Sequence, residues 1–540
     1  DPLLQSVRLM AEAGTKDPDA ALAVYAAVGE AVAAEAARAA GRPRLATAEA
    51  VMAAIVPPPR PVRAVNGPRP EARAACFGPD IAAMAEPQPM ARLIGWALAD
   101  LMLAHPEIVV MGEDVGAKGG VYGVTQRLVA RFGAGQVIDT LLDETSILGL
   151  AIGMAHNGFV PVPEIQFLAY LHNAADQIRG AAATLPFFSN GQFVNPMVVR
   201  IAGLGHRTGF GGQFHNDHAI AALRDIPGLI LCCPSDPAKA AMLLRECVRL
   251  AREEARVVVF LEPIALYAQR DLMAERDGGW ARAYPAPDRV LAFGAVAVHG
   301  AGADLGAGTD LAIVSYGHGH DLSRQAQADL AAAGVAARVI DLRWPVPLPA
   351  MLAAVAGCGA VLVVDECRRS GGPAEALMAA LAEAGAPRAA RLTAADSFIA
   401  TGPAHAATLP GRAGILAAAP GCRGGDPRGR AGVGRGASGG DIWASLKPGR
   451  GAGRRRGDLN RGGFRGRDGR APQAAGRCDR GKRHAAGLRR EEGDGGCGLL
   501  PRYSPRTGWP GWRATGRCAR RSTGRRWRAC RACRRRRCPR

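Results

Sequence analysis

The chain has 540 residues, 48% of them hydrophobic, and a formal net charge of +20. From Gly421 onward, 32 Arg and 2 Lys face 8 Asp and Glu, a net of +26, which leaves −6 for residues 1–420. That split excludes a uniformly basic, nucleic-acid-binding body, and the length allows two or three domains with cores of their own.

No basic n-region precedes an apolar run at the start, and no stretch reaches about 18 uncharged apolar residues. Neither a signal peptide nor a membrane span is expected. The first residue is Asp1, which reads as a fragment or a processed product. Cys76, Cys232, Cys233, Cys247, Cys358 and Cys367 sit mostly in apolar runs, as free thiols of a cytoplasmic protein do.

In chain order, residues 1–56 read as helices. "DPDAALAVYAAVGEAVAAEAARAAG" is rich in Ala and Glu at helical spacing. "VPPPRPVRAVNGPRPEARAA" breaks that pattern, so residues 57–89 read as a linker. From Met90 the pattern becomes α/β. "MARLIGWALADLMLAHP" is an amphipathic helix, and "EIVVMGEDV" and "GFVPVPEIQF" are buried strands. "NAADQIRGAAATL" reads as a helix, followed by the strands "NPMVVRIAG" and "GLILCCPSD". "DPAKAAMLLRECVRLAREE" is a helix with Asp236 placed to cap it, and "ARVVVFLEP" is a further strand. Alternation of this kind over residues 90–280 predicts a parallel sheet covered on both faces, with ligand groups at the carboxyl ends of its strands. Residues 281–310 read as a second linker. A smaller α/β unit follows over 311–419, with "LAIVSYG", "AARVIDLR" and "AVLVVDE" as strands.

Residues 420–540 lack apolar periodicity and cannot bury enough surface to offset the ordering of their backbone. Two readings stand: a disordered nucleic-acid-binding tail, or, as the favoured one, a segment translated out of frame from GC-rich sequence that would bind polyanions only weakly and without selectivity. Cys530 and Cys533 form a CxxC without the matched second pair of a zinc ribbon.

Candidate chemistry concentrates in two places. Glu144 opens a helix pattern after "VIDTLL", with Gly149 and Gly153 following. A carboxylate at such a strand-to-helix junction can point into a cleft. "GLGHRTGFGGQFHNDHAI" is a Gly-rich loop between two strands that holds His206, His215, His218 and Asp217. His215 and His218 could suggest zinc, but no clear third ligand stands out, and general acid/base catalysis by a histidine is the favoured reading there. No dinucleotide fingerprint, phosphate loop, nucleophile elbow or kinase set occurs in its required setting.

Several blocks carry a resemblance. "VVMGEDVGAKGGVYGVTQRL", "FGAGQVIDTLLDE", "GLAIGMAHNGFVPVPEIQF", "HNDHAIAALRDIPGLILCCPSDP" and "LEPIALY" resemble the beta subunit of thiamine-diphosphate-dependent 2-oxo acid dehydrogenases. "VIDLRWPVPL" and "VVDECRRSGGPAEALMAAL" resemble its transketolase-like C-terminal domain. The resemblance spans roughly 90–419, and residues 1–56 resemble the end of that family's alpha subunit. The implied fold is a thiamine-diphosphate-binding parallel-sheet domain of the transketolase pyrimidine type, followed by a transketolase C-terminal-like α/β domain.

The resemblance also implies roles. Glu144 matches the glutamate that hydrogen-bonds the pyrimidine ring nitrogen of thiamine diphosphate and activates the cofactor. Tyr170 falls where an aromatic ring, usually Phe, covers the pyrimidine. His215 matches the histidine that steers the substrate carboxylate and moves a proton during acylation of lipoamide. Glu113 matches an acidic residue lining the tunnel between two cofactor sites. Where many members have "HSQS", this chain has "HNDH", so Asp217 and His218 are expected to alter the charge of the pocket. The diphosphate and Mg2+ are held in this family by a GDG motif of the alpha part. The "GDGG" at Gly493–Gly496 lacks strand or helix context and is not that motif. The implied partners are an alpha subunit or fused alpha region, a second beta copy, a lipoyl-bearing acyltransferase and a 2-oxo acid. A branched-chain acid is favoured over pyruvate. A transketolase or deoxyxylulose-phosphate synthase-type ketol transfer, and an Arg-rich nucleic-acid-binding protein on an inactive scaffold, are the competing readings.

Overall fold

The structure, a computed structural model, describes residues 2–423 apart from 15–16, 58, 60–66, 207, 301–309 and 387. The Arg/Gly-rich tail from 424, with its CxxC and "GDGG", lies outside the described residues.

Six strands form the first sheet: β1 (Ile108–Gly112), β2 (Val137–Asp139), β3 (Val160–Ile165), β4 (Met197–Gly203), β5 (Ile230–Cys232) and β6 (Val257–Pro263). Their order is β2-β1-β3-β4-β6-β5, and every pairing is parallel. β1, β4 and β6 are buried along their whole length, as continuous Val, Ile and Leu runs require when helices cover both faces. The helix Pro237–Glu254 has the cap expected of it: Asp236 Oδ1 accepts from the Ala238 and Lys239 amides at 3.1 and 3.2 Å.

The second sheet contains β7 (Ala297–His299), β8 (Leu311–Ser315), β9 (Ala337–Asp341), β10 (Val361–Arg368) and β11 (Ala389–Ala394) in the order β11-β10-β8-β9-β7. All pairings are parallel except β7 with β9. The six cysteines of the body are free thiols, and all but Cys76 are buried.

Four segments differ from the sequence reading. Within 57–89, Pro70–Phe77 and Asp80–Met84 are helices docked on the first sheet's domain, with Phe77 and Met84 buried. Arg73 Nε donates to Asp100 at 2.8 Å, and Asp80 accepts from Arg127 and Arg131 at 3.1 and 2.5 Å. The prolines suggested a break, yet Pro70 occupies the first helical position, where its missing N–H costs nothing. Within 281–310, three residues form β7, an edge strand too short to show alternation. "NAADQIRGAAATL" is not one α-helix: Leu168–Ala174 is 3-10, Gln177–Ala183 is π-helical and Leu185–Phe188 a short α-turn. Asp19–Ala40 is long and apolar enough to cross a membrane by length and composition, at mean hydropathy 1.4. The expectation of no such segment rested on an unbroken uncharged run, and Glu30 and Glu35 interrupt this one.

Candidate active site

β1 connects to β2 on one side, whereas β3 connects to β4 on the other. The crevice of a parallel sheet opens at such a reversal, outside the carboxyl ends of the strands. Glu113 directly follows β1, and Glu144 begins the helix Glu144–His156 after β2. Tyr170 lies on the 3-10 turn after β3, and His215 on the loop after β4. Four adjacent strands therefore deliver the four sequence-predicted residues to one end of the sheet.

Glu144 is only 5% exposed. Asp143 caps its helix by accepting from the Ser146 amide at 3.1 Å, which fixes the first turn. The Asn173 side-chain amide donates to Glu144 Oε2 at 3.1 Å. Glu113 is held above the usual carboxylate range by burial first, then by the charges of Asp114 and Glu144. Burial likewise raises the Tyr170 phenol, with Glu113 and Glu144 adding to the effect. The two carboxylates and the phenol thus share one electrostatic environment.

His215 packs edge-on against Phe167, with ring centroids 4.6 Å apart, and lies 6.3 Å from Tyr170. Its Nδ1 is 3.2 Å from the Gly211 carbonyl oxygen. A carbonyl only accepts, so this contact places the proton on Nδ1 and leaves Nε2 as the basic nitrogen. A side chain at Gly211 would collide with the His215 ring, and φ of +75° there suits glycine.

The loop's other histidines do different things. His206 bonds Thr208, through Nδ1 to the hydroxyl at 2.9 Å. His218 is 1% exposed with both ring nitrogens unpartnered, and burial pushes it down to about 4, with Arg368 adding to the shift. Among the described residues, no three His, Cys, Asp or Glu side chains are grouped as a metal site would need. His218 is buried and neutral, and Asp217 is balanced by Arg368, whose Nη2 donates to Oδ1 at 3.2 Å. Asp217, Arg368, His172, Phe214 and Phe398 line a cleft of about 880 Å³ together with Tyr170, the candidate residue on its wall.

Residues 86–269 match the family model "Transketolase, pyrimidine binding domain", and residues 300–415 match "Transketolase, C-terminal domain". The pyruvate dehydrogenase E1 component subunit beta of Staphylococcus epidermidis is 33% identical over 301 residues, 54% of this chain and 84% of that protein. The 2-oxoisovalerate dehydrogenase subunit beta of Pseudomonas aeruginosa is 35% identical over 289 residues, 53% of this chain and 79% of that protein. The chain belongs to the family of 2-oxo acid dehydrogenase E1 beta subunits. A solved split-gene transketolase, an inactive beta4 tetramer, aligns at TM-score 0.49 and 20% identity over 62% of this chain and 98% of that chain.

This E1 beta chain also carries groups that pattern reading missed. Arg200 on β4 is bidentate to Glu262 on β6 at 2.6 and 2.9 Å and bonds Glu164 on β3 at 2.5 Å. Tyr267 donates to Glu262 at 2.7 Å. Burial keeps Glu164 above its ordinary range despite Arg200, with Glu262 opposing ionisation as well. Each residue lies in an apolar strand run, and only sheet register brings the three side chains together. Asn173 was read as part of a helix. Its place three residues after Tyr170 was the only available signal.

Proposed function

We propose that the chain forms the pyrimidine-facing wall of a thiamine-diphosphate-dependent 2-oxo acid dehydrogenase and oxidatively decarboxylates a short aliphatic 2-oxo acid. The observation that carries this reading is the convergence of Glu113, Glu144, Tyr170 and His215 at the carboxyl ends of β1 to β4, with Glu144 buried among them. A heteroaromatic ring with one basic nitrogen fits this donor set. The Glu144 carboxylate would hold the ring-nitrogen edge, and the Tyr170 and Phe167 rings offer apolar surface for its face.

Thiamine diphosphate, when bound, supplies the nucleophilic carbon and the electron sink for loss of carbon dioxide. The buried Glu144 carboxylate would share a hydrogen bond with the pyrimidine ring nitrogen of the bound cofactor. His215, with Nε2 free, orients the substrate carboxylate and moves a proton when the acyl group leaves. Glu113, held above the ordinary carboxylate range by burial and by the charges of Asp114 and Glu144, adds a second acidic group on the same side of the site. We assign the diphosphate and Mg2+ to an alpha subunit or fused alpha region, and acyl transfer to a lipoyl-bearing acyltransferase. The proposed substrate is a branched-chain acid such as 2-oxoisovalerate, with pyruvate as its competitor.

The test is Glu144→Gln in the chain assembled with an E1 alpha subunit, assayed with an artificial electron acceptor on 2-oxoisovalerate and pyruvate side by side. Turnover is expected to fall at least about 100-fold on either acid while the complex stays assembled. Unchanged turnover would remove Glu144 from the mechanism. A higher kcat/KM for pyruvate would replace the branched-chain assignment.

A further inference from the structure

Glu144 is held by a residue outside the four candidates. Thr145, the next residue on the helix, donates its hydroxyl to the Asn173 main-chain oxygen at 2.7 Å. Asn173 in turn donates its side-chain amide to Glu144 Oε2 at 3.1 Å. The helix start and the 3-10 turn that carries Tyr170 are thus clamped by two successive residues on one side and a single asparagine on the other. Asn173 is itself exposed, so its amide reaches Glu144 from the rim of the cleft, not from the core.

We propose that Asn173 is the positioning residue for Glu144: by occupying Oε2 with a donor, it fixes the carboxylate rotamer and leaves Oε1 to meet the cofactor's ring nitrogen. This rests on the function proposed above. The chemistry needs a donor at this point, because a carboxylate accepts at both oxygens and an unrestrained Glu side chain samples several rotamers. An amide serves without carrying charge. That matters because the surroundings of Glu144 are already acidic: Glu113 faces it from the end of β1, Asp114 stands beside Glu113, Tyr170 presents a phenol from the 3-10 turn, and Asp143 caps its own helix.

Asn173→Asp makes the sharpest test. It sets a second carboxylate about 3 Å from Glu144, and two such groups cannot both ionise without mutual penalty. While the pair keeps one shared proton the new carboxyl can still donate; once that proton is lost it cannot. Thiamine diphosphate binding with Mg2+ is measured by calorimetry on the full chain assembled with an E1 alpha subunit, at about pH 5 and about pH 8.5. Asn173→Asp is expected to bind within about three-fold of the parent at the lower pH and about 100-fold more weakly at the higher one. Asn173→Ala is expected to lose about ten-fold at both, and Asn173→Gln to recover part of that loss. A purely structural role would weaken binding equally at both pH values. An equal loss in Asn173→Asp at the two pH values, or parent-like binding in both Asp and Ala variants, overturns the proposal. Glu144→Gln in the same titration separates the two readings. If it leaves binding and turnover intact, the function assigned to Glu144 fails. If it abolishes turnover while the Asn173 variants behave as the parent, only the positioning role fails.

Discussion

At the residue scale, one histidine is set apart from its neighbours by tautomer and burial. His215 has its Nδ1 committed to the Gly211 carbonyl oxygen and its ring wedged against Phe167. His218, three residues later, is buried without partners and held neutral. The sequence put both in one loop; spacing could not rank them, because imidazoles three apart in an irregular turn carry no periodic signature, and only the family resemblance singled out His215. His215→Ala should lower acylation of a lipoyl acceptor more than turnover with an artificial acceptor, by about ten-fold or more. Equal losses in the two assays would make His215 a substrate-positioning residue only. Glu144 was legible because a carboxylate at the junction of strand and helix is conspicuous. Asn173 was not, because an asparagine in "YLHNAAD" looks like any helix-start polar residue.

At the element scale, the segment between β1 and β2 is shaped by glycine. Gly119 and Gly120 have φ of +80° and +77°, and a Cβ at Gly119 would stand 2.7 Å from the Gln126 Cα. The Gly116 amide donates to Asp139 Oδ1 at 2.6 Å, which ties this loop to the end of β2, five residues before Glu144. Gly119→Ala should therefore cost about 1–3 kcal/mol and loosen the approach to Glu113. Chemical denaturation measures the first effect and cofactor titration the second. An unchanged midpoint would show that the loop yields to the added methyl. The Arg200 network works at the same scale. Arg200→Met should destabilise by about 3–5 kcal/mol, because it strands the buried Glu262 carboxylate in the sheet. A loss below about 1 kcal/mol in denaturant melts would mean that Glu262 had found a proton or water instead.

At the scale of the whole molecule, His218 and His320, both buried, and His299, half-buried, are held in the neutral form. His218 and His320 are pushed down to about 4 and His299 to about 3, burial being the largest cause for each. In the unfolded chain such groups titrate near 6.5. Between about pH 6.5 and pH 4 the unfolded state therefore binds more protons than the native state, and stability falls as pH falls. Thermal melts across that range should show a steady loss that His218→Leu and His320→Leu each reduce. A melting temperature independent of pH from 6.5 to 4.5 would contradict the neutral assignments.

The sequence by itself determined the α/β class, the strands of the first sheet with long apolar runs, the Asp236 cap and the four candidate residues. Those signals are local: composition, period and the resemblance of contiguous blocks carry them. Only the tertiary structure decided how β2-β1-β3-β4 lie side by side, and so that residues 113, 144, 170 and 215 meet at one end of the sheet. It also turned part of an expected linker into docked helices, added the edge strand β7, and paired Arg200 with two glutamates from other strands. Strand order, register and buried charge pairing depend on contacts between residues far apart in the chain, and no window of sequence contains both partners.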